Sequence, residues 1–235
     1  MILSAHQPYF APYAGFFYKA CLSDVFVLLD EVQFPRGTTW ISRNRFKSHQ
    51  GTLWITIPVW KKGLGLQNIN HVRICHEGRW RKKHLESLKA AYDRAPYFPE
   101  HLHFVEEMFS GKFDRLVDLN LAVITYLMKA LRIDTRLVRL SEIPVSSTGT
   151  LRLVEICRAL GATRFLAQSA AAKFLDQKRF LDAGIELSFF KPPAPVYPQL
   201  WGDFLPNLSA FDLLFNCGSK AHEILLAGAD KLLPP

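Results

Sequence analysis

Two short apolar runs constrain the fold most: MILSA at residues 1–5 stops at His6-Gln7-Pro8, and VFVLL at 25–29 stops at Asp30. Runs of this length, bounded by polar residues, suit strands buried on both faces. Between them Phe16, Phe17, Ala20 and Cys21 recur at helical spacing behind Gly15. The pattern predicts a βαβ unit whose strands lie parallel and end on the same edge of the sheet. In such sheets the ligand crevice lies at the carboxyl ends of the strands. His6, Gln7, Asp30 and Gln33 are therefore expected to face it.

The rest of the chain continues in the same class. LWITIPVW reads as a strand after WISRNRFK, and NHVRIC is a further strand candidate. A helical pattern over Arg79–Phe109 is broken at Ala95-Pro96-Tyr97 and again at Pro99. Residues 113–132 form an amphipathic helix with Leu116, Leu119, Ile124, Leu127 and Leu131 inward. RLVRL at 136–140 is a strand. After the linker candidate 144–150 come a helix at 150–160, the strand TRFLA, a helix at 171–183 and the strand IELSFF. The predicted fold class is α/β, a mostly parallel sheet with an amino-terminal βαβ unit and a second αβαβ run. It divides into an anion-binding part at 1–143 and a second part at 151–235, packed together as one unit.

With 49% hydrophobic and 13% aromatic residues in 235, the chain has material for a substantial core. No stretch reaches the roughly 20 apolar residues of a membrane span, and the amino terminus lacks the basic flank of a secretory signal. A cytoplasmic protein is expected. Cys21, Cys75, Cys157 and Cys217 lie far apart, without metal-ligand or disulfide spacing, so reduced thiols and no metal site are expected. Residues 36–89 hold twelve Lys or Arg against two acids, a net +10 in a chain whose total is +8. Such a segment suits an anionic ligand or partner, the alternative being a solvated basic surface.

Three constellations could carry chemistry. His6, Gln7, Pro8, Tyr9 and Gly15 join a strand end to a helix start, where a phosphate is held well; a His there can equally cap backbone groups. In the second, strand register sends Arg43, Arg45 and Lys47 to one face and Asn44 to the other. Three convergent cations suit a phosphate, a pyrophosphate or a sugar acid. Nucleic acid is the weaker rival, because the aromatics fall in core-like patterns rather than between the cations. In the third, Ser209, Asp212 and Asn216 share a helix start. Ser209 and Asp212 have the spacing of a capping box, and Cys217 is the cysteine with a candidate nucleophile setting.

The motifs HQPYFAPYAGFFYKACLSDVFVLLDEVQF, W-x-x-R-N-R-F-K, RAPYF, GATRFL and YPQLWGDFLPNLSAFDLLFNCG span nearly the whole chain. In these the chain resembles the WbqC-like family, whose members often sit among bacterial genes for O-antigen and related surface sugars. The resemblance implies glycine or other aminoacyl transfer onto a sugar. By position, the family's characteristic residues are His6, Gln7, Pro8, Tyr9, Gly15, Asp24, Asp30, Gln33, Arg43, Asn44, Arg45, Ser209, Asp212, Asn216 and Gly218. The chain departs from it at Gln168–Ala172, where relatives tend to have a Gly-Pro loop, and at Ser42, where Asn is common. A looser analogy links the βαβ start to HIGH-type nucleotidyltransferases, although Phe16 stands where a second His would be.

The resulting expectation is a transferase or ligase of surface-sugar biosynthesis that forms an amide on an amino sugar or nucleotide sugar. His6, with Asp30 or Asp212, would handle the proton of the attacking amine, and Arg43, Arg45 and Lys47 would hold the diphosphate. The acyl group would come from an ATP-derived adenylate or from a thioester on an acidic carrier protein. The alternative is a non-catalytic module that recruits a carrier protein or a glycosyltransferase through its basic face.

Overall fold

The computed structural model describes residues 1–227 and Leu232–Leu233. The end of the expected second part, at 228–231 and 234–235, lies outside the described residues. Five strands, β1 (Ile2–His6), β2 (Val25–Leu28), β5 (Arg136–Arg139), β6 (Arg164–Gln168) and β7 (Glu186–Phe190), form a parallel sheet in the order β5-β2-β1-β6-β7. At its edge β8 (Leu232–Leu233) pairs antiparallel with β7. A separate two-stranded hairpin joins β3 (Arg43–Ser48) to β4 (Gly51–Thr56), with Arg45 opposite Trp54.

The side chains of β1 and β2 alternate between two cores, as the period of a strand requires. Leu3, Ala5, Val25 and Val27 pack on one face with Val154, Ile156 and Cys157 of α5 (Gly149–Leu160) and Phe180 of α6 (Gln177–Asp182). Phe26 and Leu28 point to the other, larger core. That core contains α1 (Ala14–Cys21), α4 (Leu116–Ala130), α7 (Ala210–Cys217) and the inner sides of the hairpin, α2 (Trp80–Tyr92) and α3 (Phe98–Met108). A further short helix, α8 (Ala221–Leu226), adds Leu225. Helices thus cover both faces, which is why these strands read as continuous apolar runs. The strands of the second αβαβ run continue the first sheet, because β6 pairs directly with β1.

Local signals explain most boundaries. In α4 the residues Leu116, Leu119, Ile124, Leu127 and the following Leu131 are buried, as their spacing predicts. Gly161, at φ 71°, ends α5 in the left-handed conformation, and Ala162 N–H bonds back to the Cys157 carbonyl.

Three elements differ from expectation. NHVRIC is no strand: Ile69–His71 is a 3-10 turn, and Arg73 and Ile74 make only isolated bridges to Arg115 and Val59. Pro99 does not break a helix. It sits in the first turn of α3, where its missing N–H costs nothing. The expected helix at 171–183 is a 3-10 turn over Ser169–Phe174 followed by α6, which starts afresh where the Asp176 carboxylate accepts from Lys178 N–H.

Candidate functional site

From β1 the sheet grows through β2 to β5 on one side and through β6 to β7 on the other, so a topological switch point lies between β1 and β6. Connections leaving adjacent strand ends in opposite directions open a crevice there. A cleft of about 670 Å³ lies at this place, lined by His6 at the end of β1, Gln168 at the end of β6 and Lys191 just after β7. Tyr9 and Tyr13 enter from the loop after β1, Trp40, Asn44 and Arg45 from the hairpin and the segment before it, and Asn207 from the segment before α7.

His6 is held on three sides. Its ring meets Tyr9 edge-on at 4.4 Å and Phe16 at 5.0 Å between centroids, and Nδ1 lies 2.9 Å from the Gln7 carbonyl oxygen. A carbonyl can only accept, so Nδ1 holds the proton of the neutral ring and Nε2 keeps its lone pair. Burial, and the Lys19 ammonium behind it, push the imidazole pKa down to about 3. Lys19 is itself buried, donates to the Ala5 carbonyl at 2.6 Å, and is lowered by burial to about 7. Burial also raises the hydroxyls of Tyr9 and Tyr13, which stay protonated. Tyr13 accepts from Gln168 Nε2 at 3.1 Å, so its own proton remains to be donated.

The three cations of β3 share a face and have different partners. Arg43 stacks on Trp54, its Cζ 3.6 Å from the ring centroid. Lys47 is buried beneath the Pro-rich segment before α7, donating to Gln199 Oε1 at 3.1 Å and the Asp203 carbonyl at 2.6 Å. Of the three, only Arg45 lines the cleft, held by the carbonyls of Pro206 and Asn207 at 3.2 and 3.1 Å. The expected convergence of three cations on one ligand is therefore corrected, because Trp54 and the overlying segment take two of them. The aromatics also interleave with the arginines, contrary to the core-like reading: Trp40 and Trp54 are about two-fifths exposed. Asn44 faces inward and donates to the carbonyls of Phe10 and Ala11 at 2.9 and 2.8 Å, bracing the loop after β1.

Neither expected catalytic carboxylate lines the cleft. Asp30 is buried and accepts from the Ser141 N–H at 3.0 Å and the Ser141 hydroxyl at 2.7 Å, fixing the turn after β5. Asp212 accepts from the Tyr92 hydroxyl at 2.7 Å, and that hydroxyl accepts from Lys47 N–H at 2.9 Å. The Tyr197 hydroxyl adjoins the same carboxylate without closing a well-formed bond to Oδ2. Burial raises the Asp212 pKa. Ser209 caps α7 through Phe211 N–H at 3.4 Å, but the capping box is not completed, since Asp212 turns to Tyr92. Asn216 donates to the Asp212 carbonyl at 2.7 Å. Cys217 is buried, and burial and the Asp212 charge push its thiol up to about 11, which removes it as a nucleophile near neutral pH.

Gln33 is bridged to Asn68, away from the cleft, and Gln7 contributes its carbonyl rather than a lining side chain. Gly15 does not line the cleft but allows its closure: a Cβ there would meet the Tyr13 ring at 2.4 Å and Pro192 at 2.9 Å. The reading from sequence missed Tyr13, Lys191 and Asn207, which lack a local signal. It also missed Asn120, fully buried in α4, which donates to the carbonyls of Pro8 and Ile41 at 2.8 Å each and ties the His6 loop to the hairpin. A polar residue on the apolar stripe of a helix was the available clue.

Among the described residues no helix is long and apolar enough to cross a membrane. No solved structure matches the chain. It is 31% identical over 222 residues to the uncharacterized protein Rv1507c of Mycobacterium tuberculosis, covering 93% of this chain and 95% of that one. The model of the WbqC-like protein family matches residues 7–224, and with a cleft at the end of β1 built around the motifs of that match, the chain belongs to the WbqC-like family.

Proposed function

We propose that the cleft is the active site of a transferase that joins an acyl or aminoacyl group to the amine of an amino sugar carried on a nucleotide, in surface-sugar biosynthesis. The observation that carries this reading is His6: a neutral imidazole with its tautomer fixed by Gln7 and its Nε2 lone pair free, lining a cleft that also holds Arg45 and Lys191. In the reaction the amine nitrogen attacks the acyl carbonyl, the N–C bond forms, and His6 Nε2 takes the proton that the nitrogen sheds. The bond to the leaving group then breaks, a C–O bond for an adenylate or a C–S bond for a carrier thioester, and the proton passes to the departing group. Tyr13 would donate to the developing oxyanion. A bound phosphate would raise the imidazole pKa toward the working range.

The test is transfer of a labelled glycyl or acyl group to an amino-sugar nucleotide, measured for the wild type and His6→Ala. Loss of turnover by at least about a hundredfold with unchanged circular dichroism is expected. Retained turnover removes His6 from the mechanism.

A second reading, recruitment of an acidic carrier protein, is favoured by one observation. Trp60, Leu64 and Leu66 are 42%, 52% and 57% exposed beside Lys61 and Lys62 on the loop after β4. A carrier complex weakened by salt and abolished by Trp60→Ala with Leu64→Ser would support it. Binding indifferent to both would end it.

A further inference from the structure

The outer face of the hairpin bears a stack whose two tryptophans the transfer reading leaves unused. Arg43 lies against Trp54, the Trp54 and Trp40 rings are 5.7 Å apart and tilted by 33°, and Arg45 Cζ stands 5.8 Å from the Trp40 centroid. Guanidinium contact on Trp54 is direct. Arg45 lies over the Trp40 ring at a looser cation–π distance, while its Nη2 donates to the carbonyls of Pro206 and Asn207. Trp40 lines the cleft at 41% exposure, whereas Trp54, 40% exposed and stacked by Arg43, lies outside its lining.

We infer that Trp40 is the stacking shelf for the base of a single nucleotide, with Arg45 beside it holding the adjoining phosphate. The inference rests on the proposed function for the identity of the cleft and adds how the nucleotide is recognised. Four observations support it. Exposed tryptophan beside a cation is the pairing that proteins use against a base and its backbone. Arg45 spends only Nη2 on the carbonyls of Pro206 and Asn207, so Nη1 keeps donor capacity for a phosphate about one ribose from the ring. The shelf is pre-organised: the Trp40 carbonyl accepts from Phe10 N–H at 2.9 Å, and Asn120 ties the neighbouring Ile41 to Pro8. Finally, Trp54 already packs on Arg43 and Trp40 outside the cleft, which leaves no continuous platform for a run of bases. A mononucleotide fits better than a nucleic-acid strand.

The experiment is titration calorimetry of the wild type, Trp40→Ala, Trp40→Phe and Gly161→Ala with uridine diphosphate, adenosine diphosphate, inorganic pyrophosphate, glucosamine and a uridine octanucleotide. At least one nucleoside diphosphate should bind about tenfold tighter than pyrophosphate, the worth of one stacked base. Trp40→Ala should erase that margin without changing pyrophosphate binding, Trp40→Phe should keep most of it, and Gly161→Ala, outside the cleft, should leave it intact. Equal affinity for pyrophosphate and both nucleotides, or a margin that survives Trp40→Ala, overturns the inference. So does glucosamine binding that depends on Trp40, or an octanucleotide that binds far tighter than either nucleotide. Nucleotide binding through Trp40 without any transfer activity would leave the shelf standing and refute the transferase. Transfer to an amino sugar lacking the base, at undiminished rate, would do the reverse.

Discussion

His6 Nδ1 lies 2.9 Å from the carbonyl oxygen of Gln7, its neighbour in sequence, and that contact decides which ring nitrogen holds the proton. Nitrogen NMR at neutral pH should show the Nδ1–H tautomer. Because burial and Lys19 lower the pKa from 6.5 to about 3, the unfolded chain binds the proton more readily than the folded one between those values. Stability attributable to His6 is therefore present above pH 6.5 and lost as pH falls toward 3, by at most about 1.4 kcal/mol per pH unit. Urea denaturation of the wild type against His6→Gln from pH 7 to 4 measures it. A pH-independent difference would show that the ring is not desolvated.

Lys19 should titrate with the same sign in a higher window. Its pKa falls from 10.5 to about 7 through burial between α1 and β1, with one hydrogen bond to Ala5 as compensation. Between pH 7 and 10.5 the unfolded chain holds the extra proton, so the folded state gains stability as pH rises through that range and loses it as pH falls. Relative to Lys19→Met, the wild type should gain about 1 kcal/mol or more between pH 7 and 9.

Tyr92 links three elements through one hydroxyl, donating to Asp212 and accepting from Lys47 N–H. Tyr92→Phe leaves a buried carboxylate oxygen and a buried N–H without that partner. A loss of about 1–3 kcal/mol is expected in denaturant titrations. Nucleotide affinity should change little, since none of the three side chains lines the cleft.

Gly15→Ala and Gly161→Ala should separate cleft geometry from backbone strain. The first adds a methyl group within 2.4 Å of the Tyr13 ring and 2.9 Å of Pro192, both of which line the cleft. The second meets open space at φ 71° and carries only the cost of a left-handed alanine, about 1 kcal/mol. Ligand affinity should fall at least fivefold for Gly15→Ala and stay unchanged for Gly161→Ala. Equal behaviour would mean that Tyr13 and Pro192 move aside freely.

What the sequence by itself determined was local or periodic. The two polar-ended apolar runs specify parallel strands with His6 at a carboxyl end, and the spacing of Leu116 to Leu131 specifies the buried face of α4, because burial of an amphipathic pattern has one satisfactory orientation. The alternation of Arg43, Asn44 and Arg45 likewise placed the arginines opposite Asn44. Only the tertiary structure decided which of these groups can reach a ligand. Trp54 takes Arg43, the segment before α7 covers Lys47, Ser141 engages Asp30, and Tyr92 holds Asp212 away from the cap it would otherwise complete. The pairing of β6 with β1 creates the switch point and brings Gln168 and Lys191 to His6 from more than 150 residues away. Such pairings are set by non-local packing, and a charged or polar side chain bears no local mark of the partner that will satisfy it.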